Sequence, residues 1–134
     1  MTRPIRTVLV ANRGEIAMRV LRTVKVMGLK GAVVYHAADR DAPAVAEADM
    51  AIPISGSTPV GAYLDADEIL RAAMEANADA IHPGYGFLSE NAAFARRVAD
   101  AGMVFIGPEP EAIELMGDKV RARGFVERGG DCAI

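Results

Sequence analysis

Cysteine occurs once, as Cys132, and tryptophan not at all in this chain of 134 residues. One thiol cannot close an internal disulfide, so burial and hydrogen bonding must hold the fold. Histidine is almost as scarce. Neither His36 nor His82 has a second His or a Cys at ligand spacing, which excludes a zinc centre of the usual His/Cys kind. Long apolar runs are missing too: nothing approaches the ~20 residues of a membrane-spanning helix. The basic opening Met1-Thr2-Arg3-Pro4-Ile5-Arg6 leads into too short an apolar stretch for a secretory leader. Nor is charge of one sign in excess. Lys and Arg number 15 against 18 Asp and Glu, scattered along the chain, and the net charge of −3 leaves no footprint for nucleic acid or an anionic membrane. What remains is an ordinary composition, 51% hydrophobic, enough for one core and one domain. A soluble protein of a reducing cytoplasm is the expectation.

Thr7-Val8-Leu9-Val10-Ala11 is a continuous apolar, β-branched run, the pattern of a central strand buried on both faces of a parallel sheet. From Glu15 the period changes. Ile16, Val20, Leu21, Val24 and Met27 fall at helical spacing, Arg19, Arg22 and Lys25 take other faces, and Gly28 caps the helix. Gly31 to Tyr35 repeats the strand pattern, His36 to Asp41 reads as loop, and Pro43 suits the first turn of a short helix. Met50 to Ile54 is a third strand, sent to the sheet edge by Pro53, which lacks an amide donor. Ser55 to Tyr63 reads as loop, and Asp65 caps a helix bearing Ile69, Leu70, Ala73 and Met74. Ala78 to His82 is a fourth strand ended by Pro83. Ser89 caps a helix with Ala92, Phe94, Ala95 and Val98 on its apolar stripe, Met103 to Ile106 is a fifth strand, and Glu109 to Arg128 is helical in two pieces broken near Gly117. This alternation, without repeats or low-complexity segments, predicts a doubly wound α/β fold around a mostly parallel sheet. Ligands of such sheets bind at the carboxyl ends of the strands, where Asn12 to Glu15 and Pro83 to Asn91 both fall.

Three segments carry candidate chemistry. Asn12-Arg13-Gly14-Glu15 opens the first helix, where free amides attract anions, but it has one glycine where a dinucleotide fingerprint has three. The plainer reading is a tight turn with Glu15 paired to Arg19. His82 to Asn91 is stiff at Pro83 and compact beyond it: Gly84 and Gly86 let the main chain approach a ligand, and Tyr85 presents a ring and a hydroxyl. The competing reading is a glycine turn with Tyr85 and Phe87 in the core, and His82 as a strand-end residue bonded to backbone. Met116-Gly117-Asp118-Lys119 sets a lysine at a new helix start, either a phosphate-binding charge or a solvated surface residue.

Taken together, the blocks Ala11 to Ala17, Ala80 to Asn91, Phe105 to Pro108 and Met116 to Lys119 closely resemble biotin carboxylases over residues 5 to about 128. These are the ATP-dependent ligases of acetyl-CoA (fatty acid biosynthesis), propionyl-CoA and pyruvate carboxylation. The resemblance implies a Rossmann-like pre-ATP-grasp domain at 1–116, and at 117–134 the start of a helix into an ATP-grasp domain that is missing here. It implies activation of bicarbonate by ATP, followed by carboxylation of biotin on a biotin carrier protein, with a carboxyltransferase as further partner. Lys119 matches the lysine that contacts ATP phosphate. Tyr85, Gly84 and Gly86 match the loop beside the biotin ring, and Arg19 matches a position at the family's homodimer interface. No catalytic residue falls in this chain, and the carboxylates that hold magnesium are absent from it.

The ending Gly130-Asp131-Cys132-Ala133-Ile134 departs from the family's apolar, proline-containing continuation, so the chain reads as a truncated or excerpted piece, inactive alone. Alternatives are a non-catalytic binding or oligomerisation module, and the N-terminal domain of another ATP-grasp ligase, against which the Tyr85 loop argues. A nicotinamide dehydrogenase fits worse, since the second strand ends in Tyr35-His36 and not in an acidic ribose ligand.

Overall fold

The computed structural model of the chain describes residues 4–115. The elements run β1 (Thr7–Val10), α1 (Gly14–Val26), β2 (Lys30–Tyr35), α2 (Pro43–Glu47), β3 (Met50–Pro53), α3 (Pro59–Tyr63), α4 (Ala66–Glu75), β4 (Ala80–His82), α5 (Ala92–Asp100) and β5 (Val104–Phe105). Short 3-10 turns lie at Ala37–Asp39 and Phe87–Glu90. Every strand pairing is parallel and the order is β3-β2-β1-β4-β5. The apolar run Thr7–Val10 is the centre of the sheet and is buried throughout, as its composition requires. The chain walks outward from β1 to β3, then returns to the other side of β1. The carboxyl ends of β1 and β4 therefore flank the topological switch point.

Alternation along the strands divides the core into two layers. Leu9, Ala32, Val34, Ile52 and Ile81 face Tyr63, Ile69, Ala73, Phe94 and Val98 from the helices after β3 and β4. Val10 and Val33 face Ala17, Leu21 and Ala44 from α1 and α2. Val8 and Ala80 complete that second side with Val24. Three helices end in the same way. Leu29 N donates to Val24 O, Ala78 N to Ala73 O and Met103 N to Val98 O, at 3.1, 3.0 and 3.1 Å, closing Schellman turns with Gly28, Asn77 and Gly102 at positive φ. Each turn passes almost directly into the next strand, which sets the register of the sheet's amino-terminal rim.

Several local expectations are corrected. The stretch 55–63 is not all loop: Thr58 accepts from Gly61 N at 3.1 Å and Pro59 fills the first turn of α3, which carries Tyr63 into the core. Asn91, and not Ser89, caps α5, accepting from Phe94 N at 2.9 Å, while Ser89 lies within the 3-10 turn. Met27 and Met74 are 67% and 64% exposed, because the alanines Ala17 and Ala72 take the buried stripe and draw the helices close to the sheet. Glu15 lies 4.0 Å from Arg22, two turns along the helix, and does not pair with Arg19. Ala11, Ala78, Met103 and Ile106 lie just outside the strands. Helical backbone begins at 110 and continues to 115. The expected break near Gly117, Lys119 and the boundary at 116/117 lie outside the described residues.

Gly28 sits at φ +78, where a β-branched side chain is strained, and Asn77 holds the equivalent position in α4 at φ 53. Gly28→Val is expected to lower the unfolding free energy by roughly 1–2 kcal/mol, whereas Asn77→Gly leaves it unchanged or raises it slightly. Urea unfolding followed by circular dichroism measures both.

Candidate functional site

Asn12 leaves β1 at the switch point and is 1% exposed. A buried carboxamide must satisfy two N–H groups and an oxygen. Both Nδ2 hydrogens go to the neighbouring loop, donating to Pro83 O and Tyr85 O at 2.8 Å each. The oxygen Oδ1 accepts from Arg13 N at 2.8 Å. Gly84 passes directly over this amide at φ +70, and a Cβ there would lie 2.6 Å from Asn12 Nδ2 and 2.9 Å from Ile16 Cγ2. Only glycine meets both the steric and the dihedral requirement. The two candidate loops are therefore one unit, with the first as clamp and the second as the segment held.

The rest of the glycine loop is fixed from its ends. Gly84 N donates to His82 Nδ1 at 3.0 Å, and Ser89 N donates to Gly86 O at 2.9 Å. His82 is thus the strand-end, backbone-bonded residue expected, and burial pushes its ring below the ordinary imidazole range. Phe87, at φ 47, tilts its ring against Tyr63 with centroids 5.6 Å apart. Leu88 is buried. Tyr85 is the exception, 80% exposed, which overturns the reading of this residue as core. The loop's backbone is held by hydrogen bonds at Pro83, Gly84, Tyr85 and Gly86 and presents a single aromatic side chain outward.

Behind it lies a polar cluster that the sequence reading did not identify. Arg13 Nη2 donates to Asp39 Oδ1 at 2.6 Å, and its guanidinium stands 5.5 Å from the centre of the Tyr63 ring. Tyr63 donates from its hydroxyl to Asp39 Oδ2 at 3.0 Å. Burial, then the Asp39 bond, pushes the Tyr63 phenol up to about 12. His36 Nδ1 accepts from Ala38 N at 3.1 Å, which leaves Nε2 to donate to Gly56 O at 2.7 Å. The cluster ties the turn after β1 to the end of β2 and to α3. Its sequence signal was the Asp in the loop after Tyr35-His36, one helical turn from nothing and too generic to read.

No group of three or more His, Cys, Asp or Glu able to hold a metal ion occurs among the described residues. The described residues therefore offer no carboxylate cluster to assign to magnesium. Lys119 lies outside the described residues, so Tyr85, Gly84 and Gly86 are the candidate site residues the structure brings together, and Asn12 is the one that joins them.

Residues 4–113 match the family described as the biotin carboxylase N-terminal domain. The chain belongs to that family. Biotin carboxylase 2 of Bacillus subtilis is 50% identical to it over 123 residues, which is 92% of this chain and 28% of that protein. The multifunctional pyruvate carboxylase from Rhizobium etli superposes with a TM-score of 0.84 at 39% identity, over 95% of this chain and 13% of that one. The biotin carboxylase domain of Hydrogenobacter thermophilus 2-oxoglutarate carboxylase, a dimer solved with MgADP, ADP and bicarbonate, superposes with a TM-score of 0.83 at 46% identity, over 96% of this chain and 28% of that one. The chain spans 7–29% of the length of the curated relatives it matches.

Two outcomes follow from this geometry for a biotin carboxylase N-terminal domain. Asn12→Ala should cost about 1–3 kcal/mol in unfolding free energy, and Asn12→Asp more, since a carboxylate would face two carbonyl oxygens with no hydrogen to offer. Tyr63 ionises near 10.0 when unfolded and near 12 when folded, so its contribution is intact below pH 10 and is lost as pH rises toward 12. Tyr63→Phe should flatten that alkaline slope in pH-dependent thermal unfolding.

Proposed function

We propose that this chain supplies one wall of the biotin-facing cleft of an ATP-dependent biotin carboxylase. The observation that carries the reading is the outward presentation of Tyr85 on a loop whose backbone Asn12 clamps by two hydrogen bonds. A rigid loop with glycines on either side of an aromatic lets a flat ring approach main-chain atoms closely and limits the ordering cost of binding. In the reaction proposed, ATP activates bicarbonate and the carboxyl group passes to a ureido nitrogen of biotin borne by a carrier protein. Bound ATP and magnesium supply the phosphoryl chemistry. Lys119 is the residue of this chain assigned to ATP phosphate, within a segment 117–134 that leads toward an ATP-grasp domain. Tyr85, Gly84 and Gly86 orient the ring, and residues 1–116 form the supporting domain. The remaining contacts belong to parts of a biotin carboxylase that follow this domain, and the acceptor molecule is set by a carboxyltransferase component. A cytoplasmic location agrees with this chemistry.

A homodimer through α1 is part of the same proposal. Arg19 lies on that helix, Val26 at its end and Met27 just after it are 88% and 67% exposed, and the Hydrogenobacter thermophilus domain is a dimer.

In a full-length biotin carboxylase carrying this domain, ADP release that requires bicarbonate and rises with free biotin is expected, and Tyr85→Ala should raise the biotin KM about tenfold with a smaller change in kcat. The purified 134-residue chain should release no ADP. Biotin-independent turnover in that full-length enzyme, or biotin-stimulated turnover by the 134-residue chain alone, contradicts the reading.

A further inference from the structure

His82 stands where the end of β4 passes into the glycine loop. It closes β4 on the face shared with Val8, Val10 and Ala80, where it pairs in register with Val10. Beyond the edge of α1 that face opens as an apolar groove of about 390 Å³, lined by Val20 and Thr23 of α1, Ile106 after β5, and His82 itself. Its ring atom Nδ1 accepts the Gly84 amide, two residues on. This is the same short-range geometry by which an Asn or Asp side chain captures the amide at i+2 in an Asx turn.

An imidazole accepts at Nδ1 only while that nitrogen carries no proton, so the proton of the neutral ring sits on Nε2. Protonation would place an N–H opposite the Gly84 N–H. Donor would face donor, and the bond could not persist. The two bonds from Asn12 to Pro83 O and Tyr85 O would remain, so the effect would be local loosening between them and not unfolding.

We propose that His82 is a positioning residue for the Tyr85 loop, holding the Gly84 amide as a neutral ring and releasing it on protonation. The surroundings favour the neutral state. Arg19 of α1 is the other ionisable group lining the groove with His82, and no carboxylate lines it to favour a charged ring. From β1 and β5 the ring faces no charged residue, since those strands are Thr7–Val10 and Val104–Phe105. In the turn after β1, Asn12 is uncharged and Arg13 is engaged by Asp39. Burial lowers the ring below its ordinary 6.5, in the same direction. The unfolded chain therefore binds the proton first, and stability falls as pH drops through about 6.5 and levels off below the lowered folded value. This inference goes beyond the proposed activity and stands whatever the loop binds.

The test uses the ¹⁵N-labelled 134-residue chain, with ring nitrogen shifts reporting the His82 tautomer and exchange protection reporting the Gly84 amide. In the wild type the Gly84 protection factor should fall about tenfold as His82 takes up its proton, while amides of β1 keep theirs. His82→Asn retains an acceptor that does not titrate, and its Gly84 protection should stay within about twofold over the same range. His82→Leu removes the acceptor and should show the low value throughout. Should the leucine variant fail to fold, the wild-type and asparagine titrations decide the matter between them. Unchanged Gly84 protection while the ring protonates, or an equal loss in His82→Asn, overturns the proposal.

Discussion

A carboxamide buried at the end of a strand has to find three partners in a place where the regular ladder has just stopped. Asn12 finds one in its own turn and two in a loop some seventy residues further along the chain. Leaving either amide hydrogen unpaired would cost about 1–3 kcal/mol, so the side chain fixes both loops or neither. The position of Gly84 follows from this, since the amide leaves no room for a Cβ above it. So does the exposure of Tyr85: with the carbonyls on either side of Gly84 turned inward toward Asn12, the side chain between the glycines has only the outward direction left.

This clamp works because the parallel sheet delivers its two halves to the same point. β1 and β4 are neighbours in the sheet though distant in sequence, and Ala11 N continues their ladder to His82 O for one bond past the end of β1. Behind the clamp, Arg13, Asp39 and Tyr63 bind the end of β2 and α3 to the same turn, and Tyr63 meets Phe87 on the far side of the glycine loop. The loop is thus gripped between a neutral amide and a charged cluster. Burial of the ion pair is only partial, so its value lies in registry more than in net stabilisation.

Much of this was legible in the sequence, and what was not has identifiable causes. The apolar runs at Thr7 and Gly31 revealed their strands because strands buried on both faces cannot afford polar alternation. Pro53 located an edge by the donor it lacks. Asp65 announced its helix as a cap. Thr58-Pro59 carried the same kind of signal, but Gly56 and Gly61 beside it weighed toward loop. Ser89 was read as the cap, but the 3-10 turn at Phe87–Glu90 takes it up and brings Asn91, equally suited by propensity, to the start of α5. The methionines misled because hydrophobicity was read without size: a helix that lies close to a sheet buries alanine and leaves the long side chain at its margin. The glycine loop was recognised from residue identity. That Asn12 holds it was beyond sequence reasoning, since a contact spanning most of the domain leaves no local periodicity.

The two ends of the sheet bear on how this domain can meet anything else. On one side β3 ends at Pro53, which offers no amide to a newcomer, and Arg71 Nη2 occupies the Pro53 carbonyl at 2.8 Å. On the other, β5 is only two residues long. Neither margin is a template for another strand, and a protein with so apolar a central sheet avoids in this way the commonest route to uncontrolled self-association. Contact with a neighbouring domain or a second copy is left to side chains projecting from helices and loops, surfaces that can discriminate among partners where a bare strand would accept almost any.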